Sequence, residues 1–479
     1  MLFNSLEFAI FAPIVTAVYF LLPQAWRVAW LLAASCVFYM AFVPAYIFIL
    51  LVTILIDYFA GIYIEKVDVR HKKTLLRISI VSTCLVLFCF KYLEFFTNSF
   101  LTAAGWLGWH GTHPAIAILL PIGLSFHTFQ SLSYVIEVYR GHQRAEHNFV
   151  VYATYVMFFP QLVAGPIERP QNLLHQFREF HEFDYDNVTV GLKRMAWGFF
   201  KKLVVADRLA LYVNDVYDSP RGYNGLQLTI ATFFFAYQIY CDFSGYSDIA
   251  IGAAQVLGFR LMENFNTPYY SLSVGEFWRR WHISLSTWFR DYVYVPLGGS
   301  RVKGWWYIVN ILVTFGISGL WHGANWTYVC WGILNGIYLI AGRLTKDSRD
   351  RFFSALGLGA GTLTRRIIMQ ASTFVLICLA WIVFRAHTLS DASYIVTHLA
   401  RDWDFHHIKT EQFMLRQLPI AIAALVALEI GQMPKIQAAV PAFLTQIPTP
   451  GRWAFYSAFI MTIVMFGIYQ KTQFIYFQF

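Results

Sequence analysis

Long apolar runs joined by short polar connections organise this chain. Residues 6–22, 28–43 and 45–64 read as three closely spaced helices near the ~20-residue length that spans a bilayer core. Asp57 falls inside the third and is expected to face the protein interior. The connection that follows carries Lys66, Arg70, Lys72, Lys73 and Arg77 and is assigned to the cytoplasm, which puts the N-terminus outside. A helix over 78–96 then leads outward to a loop, 97–114, with no Lys or Arg, where His110 and His113 read as surface residues. Residues 116–139 return inward, interrupted by Pro121 and Gly123.

The middle of the chain is less regular. Residues 150–164 are short for a span, contain Pro160 and end in Gly165-Pro166, which predicts a re-entrant segment buried by protein. Residues 172–183 alternate apolar and charged positions at helical spacing and predict an interfacial helix. Residues 226–258 are apolar except at Cys-Asp-Phe-Ser-Gly-Tyr-Ser-Asp (241–248), which predicts an unwound, polar-lined break. From 274 to 304 the chain turns amphipathic and basic, as expected at a cytoplasmic interface. Two runs, 305–320 and 326–341, then meet at His322, and a basic patch over 343–366 returns to the cytoplasm. Apolar runs at 367–384, 418–430 and 453–469 complete the chain, with His398, His406 and His407 in the polar connections. The prediction is an all-α polytopic membrane protein with roughly 10–12 spanning helices plus re-entrant and interfacial ones. It forms a single domain over 1–479.

Composition agrees. Of 479 residues, 58% are hydrophobic and only 13% charged, about half the charged share of a soluble protein. The net charge of +9 sits in short loops, which fits the positive-inside bias and anionic lipid rather than nucleic acid. The six cysteines lie in apolar surroundings without zinc or redox spacing and read as packing residues. The first residues lack the positive start of a cleaved signal peptide, so the first run is expected to be retained.

Candidate chemistry centres on Phe-Gly-Ile-Ser-Gly-Leu-Trp-His-Gly-Ala-Asn-Trp (315–326). An ionisable side chain at the end of a span is costly unless it faces protein or a water-filled cavity, which makes His322 a functional candidate. Gly319, Gly323 and Ala324 leave room for a substrate or another helix. The structural alternative is an imidazole that serves only helix–helix hydrogen bonds. His282 lies about forty residues earlier, on the cytoplasmic side by this topology. Asp242, Ser244, Tyr246, Asp248 and Asn325 join the two histidines in a polar track. No metal-ligand spacing, phosphate loop or nucleophile elbow occurs, so no metal is expected and a buried general base remains. For Arg279 and Arg280, headgroup anchoring competes with binding of donor phosphates. For Asp242 and Asp248, structural pairing competes with chemistry.

Seven segments together resemble one family. They are Leu-Pro-Ile-Gly-Leu-Ser-Phe with Thr-Phe-Gln (120–130), Tyr-Val-Ile-Glu-Val-Tyr-Arg-Gly (134–141) and Phe-Pro-Gln-Leu-Val-Ala-Gly-Pro-Ile (159–167). Next come Tyr-Cys-Asp-Phe-Ser-Gly-Tyr-Ser-Asp-Ile-Ala-Ile-Gly (240–252) and Phe-Arg-Leu-Met-Glu-Asn-Phe (259–265). The last are Glu-Phe-Trp-Arg-Arg-Trp-His-Ile-Ser-Leu-Ser-Thr-Trp (276–288) and Gly-Leu-Trp-His-Gly-Ala-Asn (319–325). The chain resembles the membrane-bound O-acyltransferases, and within them the alginate O-acetyltransferase membrane-subunit (AlgI-like) group, over about residues 1–390; 391–479 is less distinctive. His127 departs from the expected phenylalanine or tyrosine.

The resemblance implies a ring of helices around a thinned centre, with a tunnel to His322 as catalytic histidine and His282 as the second. Trp281 and Trp321 would line that tunnel beside the histidines, with Asp242, Ser244, Tyr246, Asp248 and Asn325. It also implies a bacterial inner-membrane enzyme that holds no resident cofactor and takes acetyl-CoA or an acyl-carrier thioester as donor. The acceptor would be an extracytoplasmic polysaccharide, reached directly or through a periplasmic acetyltransferase partner. Peptidoglycan, cellulose or teichoic acid D-alanylation remain alternative acceptors. A transporter with a histidine proton relay is the alternative from another class, against which the chain has no paired half-repeats. A scaffold without chemistry would leave the histidines and carboxylates buried to no benefit.

Overall fold

In a computed structural model the described residues are 1–109, 111, 121–404, 412–469 and 474–475. All described regular elements are helical. His110, His113, His406 and His407 lie outside the described residues. The chain divides into two compact units, Met1–Met195 with Ser247–Glu263, and Ala196–Tyr246 with Asn264–Phe479.

In the first unit, Leu6–Leu21, Gln24–Met40 and Tyr46–Lys66 follow the first three apolar runs closely. Asp57 is buried and accepts from the hydroxyls of Ser79 (2.7 Å) and Thr83 (3.0 Å), so the interior-facing expectation holds. The basic 66–77 segment is not a loop. The chain breaks only around Val67 and Asp68, and one apolar stretch runs from Val69 to Trp106 through a π-helical turn at Phe88–Tyr92. Exposed Arg and Lys are good helix formers, so the span simply extends through its basic flank.

The predicted re-entrant segment is a broken helix, Phe149–Met157 then Phe159–Leu162, buried from Val151 onward. The break leaves backbone groups to be satisfied by side chains. Ser35 Oγ accepts from the Phe159 N–H (3.0 Å), and the Tyr155 carbonyl accepts from Gln161 (2.8 Å) and Gln130 (2.5 Å). The expected interfacial helix over 172–183 is absent. Short turns at Pro170–Leu173 and Leu174–Arg178 give way to non-helical chain, because Leu173 and Phe177 are pinned in the core while Gln176 bonds the Arg260 backbone.

The largest departure from expectation is Gly225–Val256, a helix of 32 residues that starts in the second unit, belongs to the first from Ser247 on, and passes unbroken through 241–248. The predicted unwinding is wrong because the polar side chains are met from a neighbouring element. That element is a π-helix, Phe200–Ala206, which carries Lys201 and Lys202. Lys202 Nζ lies 2.5 Å from Asp242 and 2.8 Å from Asp207, and Lys201 donates to Ser244 (3.0 Å). Paired charges need no broken ladder to be tolerated.

Among the described residues, Tyr46–Lys66, Val69–Trp106 and Leu363–Arg385 are long and apolar enough to cross a bilayer. The pair Leu418–Gln432 and Pro434–Gln446, bent by 83°, makes a fourth if it is one broken span. The sequence-based number is higher because it counts apolar runs that fold into shorter or more polar helices.

Candidate active site

His322 is the last residue of the helix Trp305–His322, which Gly323 ends in extended conformation. The chain re-enters at once as Trp326–Leu344, with Asn325 as N-cap. The two helices touch backbone to backbone. A Cβ on Gly319 would lie 2.1 Å from the Tyr328 carbonyl oxygen, and one on Gly332 2.1 Å from that of Phe315. The small residues near His322 therefore admit a helix.

The imidazole is 4% exposed and boxed by ring edges. Trp321 and Trp331 each lie 5.0 Å away and Phe384 5.4 Å, all near perpendicular. Trp331 is itself stacked on Trp381 (5.8 Å, 15°), which packs on Trp281 (5.0 Å). Such a wall excludes water and fixes the ring's orientation. Trp331 Nε1–H is buried and has no hydrogen-bond partner among the described residues.

His282 is buried at the N-cap of Ile283–Phe289 in left-handed conformation (φ 42°), a strained state for a non-glycine residue. Asn264 holds that turn. Its Oδ1 accepts from the Ser284 N–H (3.2 Å) and Oγ–H (2.9 Å), and its backbone carbonyl accepts from the Ile283 N–H (2.9 Å). A backbone N–H only donates, so that side-chain atom is the oxygen. His282 Nδ1, 3.0 Å from it, must then carry its hydrogen, which leaves Nε2 as the basic nitrogen of the neutral ring. Asn264 does not stand out in the sequence, although it lies inside the 259–265 segment.

Hydropathy places His282 at the cytoplasmic edge. In the fold the Trp321 ring lies 6.3 Å from His282 and 5.0 Å from His322, so one indole neighbours both imidazoles at the His322 end of Trp305–His322. The short helices Val274–Arg280 and Ile283–Phe289 carry His282 there.

The remaining candidates divide. Trp281 is core, stacked on Phe277 (5.4 Å, 19°). Asn325 accepts from the Thr327 N–H (3.0 Å) and donates to the His387 carbonyl (3.3 Å), the contacts of a cap. Asp242 has both oxygens engaged, by Lys202 and by the Ile475 N–H (2.8 Å). Ser244 accepts from Lys201, and the Tyr246 ring packs 4.8 Å from Phe474. Asp248 belongs to the first unit, where Arg194 binds it (3.0 Å) together with Glu263.

A cavity of about 1370 Å³ lies in the second unit. Its lining includes Arg279, Arg290, Arg343, Lys346, Arg349 and Arg365 with Asp350, together with the rings of Trp278 and Phe315 and the hydroxyl-bearing Ser318. Arg365 pairs with Asp350 and Arg290 with Asp291 (2.7 Å). Among the described residues no carboxylate lies at ion-pair distance from Arg279, Arg343, Lys346 or Arg349. Arg280 is not part of this cavity; it pairs with Glu276 (2.7 Å). In the sequence the 343–366 patch carries only a topology signal. The tight return of Trp326–Leu344 against Trp305–His322 brings it beside Arg279.

Residues 81–385 match the MBOAT, membrane-bound O-acyltransferase family. A probable alginate O-acetylase AlgI of Azotobacter vinelandii is 36% identical over 438 residues, 90% of this chain and 84% of that protein. The protein of the same name in Pseudomonas aeruginosa is 38% identical over 82% of this chain and 73% of its own length. A peptidoglycan O-acetyltransferase of Helicobacter pylori is 33% identical over 76% and 72%.

Proposed function

The chain belongs to the membrane-bound O-acyltransferase family, in its AlgI-like group, and from that premise we propose that it transfers an acetyl group from a cytoplasmic thioester to hydroxyls of an extracytoplasmic polysaccharide. The observation that carries this reading is the course of one helix. Thr314, Phe315 and Ser318 line the basic cavity, and Ser318 lies one helical turn before His322. A donor anchored by its phosphates on Arg279, Arg343, Lys346 and Arg349 would extend its thioester arm along that helix toward the imidazole.

In this reading a nitrogen of His322 takes the proton of the acceptor hydroxyl as its oxygen attacks the thioester carbonyl. The new C–O bond forms, the C–S bond breaks, and the imidazolium returns the proton to the departing thiolate. Trp331 Nε1–H, a buried donor 5.0 Å ring to ring from the imidazole, is suited to the oxyanion that develops. His282, with its hydrogen held on Nδ1 by Asn264, would keep Nε2 as an acceptor on the far side of Trp321. The donor would be acetyl-CoA or an acetylated carrier, and a periplasmic partner would complete transfer where the polymer is not reached directly. Peptidoglycan is the second acceptor to test, given the 33% identity to the Helicobacter pylori enzyme.

Membranes containing the protein would be supplied with labelled acetyl-CoA or labelled acetyl-carrier, and with alginate or peptidoglycan. Label in one polymer identifies donor and acceptor together. Label in neither, with a periplasmic extract present, would count against the reading.

A further inference from the structure

A second pocket, of about 370 Å³, lies among four elements of the second unit. Ile367, Gln370, Ala371 and Phe374 recur at helical spacing on Leu363–Arg385 and form one wall. Tyr237 comes from Gly225–Val256, Tyr269 and Tyr270 from the turn Pro268–Tyr270, and Glu429 from Leu418–Gln432. Three of the rings form an aromatic corner. Tyr237 lies 5.6 Å from Tyr269 and 6.3 Å from Phe374, and Tyr269 meets Phe374 at 5.2 Å and 90°. Among the described residues Glu429 is the one charged member of the lining.

That carboxylate is costly where it stands. Leu418–Gln432 is otherwise apolar or uncharged, and among the described residues Glu429 has no ion-pair partner. Tyr237 donates to Oε1 (2.9 Å) and Tyr270 to Oε2, so two phenols orient it without neutralising it. A helix in lipid does not carry an unneutralised carboxylate without cause. Aromatic walls around a fixed negative charge are the arrangement that recognises an organic ammonium ion, through ring faces and an ion pair together. A bare metal ion would instead call for several oxygen ligands, whereas this lining is mostly carbon.

We propose that this pocket, apart from the acyl-transfer site, binds an organic ammonium group, with Glu429 as counter-ion and Tyr237, Tyr269 and Phe374 as the cage. Gln370 adds an amide oxygen able to accept from a primary ammonium. Ile367 follows Arg365 and Arg366 at the basic end of its helix, the end expected at the headgroup layer, so an aminophospholipid headgroup and a soluble amine both fit this chemistry.

The full-length protein in detergent would be titrated with dihexanoyl-phosphatidylethanolamine, dihexanoyl-phosphatidylglycerol and free ethanolamine, with the shift in unfolding temperature as readout. Saturable stabilisation by phosphatidylethanolamine alone identifies a lipid ligand; stabilisation by ethanolamine as well identifies a soluble amine. In either case Glu429→Gln and Phe374→Leu weaken the response about tenfold or more. Equal stabilisation by phosphatidylglycerol, no saturable response to any probe, or wild-type responses in the variants would overturn the proposal. If Glu429→Gln does not fold, Phe374→Leu, which leaves the carboxylate in place, carries the test alone.

Discussion

Asn264 Oδ1 accepts from His282 Nδ1 at 3.0 Å and also holds the backbone N–H of Ser284, so one amide fixes both the tautomer and the strained turn of the second histidine. Asn264→Ala is expected to lower kcat by about 10–100-fold with little change in donor KM, by analogy with the partners that orient metal-bound imidazoles. Asn264→Asp keeps an acceptor at that place and should restore part of the loss while raising the pH of half-maximal protonation of His282. Steady-state kinetics across pH would check both; equal activity in all three proteins would remove Asn264 from the site.

The Gly319–Gly332 crossing gives a stability prediction. A methyl at either position meets a carbonyl oxygen at 2.1 Å in backbone that cannot easily move. Gly319→Ala or Gly332→Ala should cost about 1–3 kcal/mol, seen as a lower unfolding temperature and a matching loss of activity. Gly342→Ala, on the same return helix with nothing within 4 Å of the added methyl, should leave stability unchanged or slightly raised.

Lys202 lies between two carboxylates, and its removal takes a cation from both. Lys202→Met should destabilise by about 3–5 kcal/mol, because Asp207 and Asp242 stay buried and both lose the ammonium between them. Adding Asp207→Asn and Asp242→Asn to that variant should recover part of the loss. Urea or thermal unfolding in detergent measures it, and a triple variant no better than Lys202→Met would contradict the pairing.

The basic cavity predicts a split in the kinetics. Arg349→Glu or Lys346→Glu should raise donor KM about tenfold and make it less dependent on salt, with kcat little changed. Arg280→Ala, outside the cavity, should leave KM as it was. Initial rates at varied donor concentration separate the two.

The sequence made the helical class legible, and the long apolar runs that end at His322 marked that histidine as the candidate to place. The broken buried helix at 149–162 was legible too, from Pro160 and Gly165-Pro166. What stayed hidden depends on partners distant in the chain. The carboxylate and hydroxyl cluster at 241–248 looks like a break because Lys201 and Lys202 lie some forty residues away. The packing of His282 beside Trp321 stayed hidden because hydropathy does not reveal how the short helices Val274–Arg280 and Ile283–Phe289 fold back. Arg279 and Arg280 are adjacent in sequence and look alike, yet only Arg279 lines the cavity while Arg280 is spent on Glu276.

The central claim is that His322 removes the proton of the acceptor hydroxyl. The most direct measurement is acetyl transfer by purified His322→Ala beside the intact protein, matched for membrane insertion and unfolding temperature, with donor binding measured in both. The expected result is transfer reduced by about 100- to 10,000-fold while donor affinity is retained. Transfer at the intact protein's rate would contradict the assignment and leave His322 as a packed ring among tryptophans.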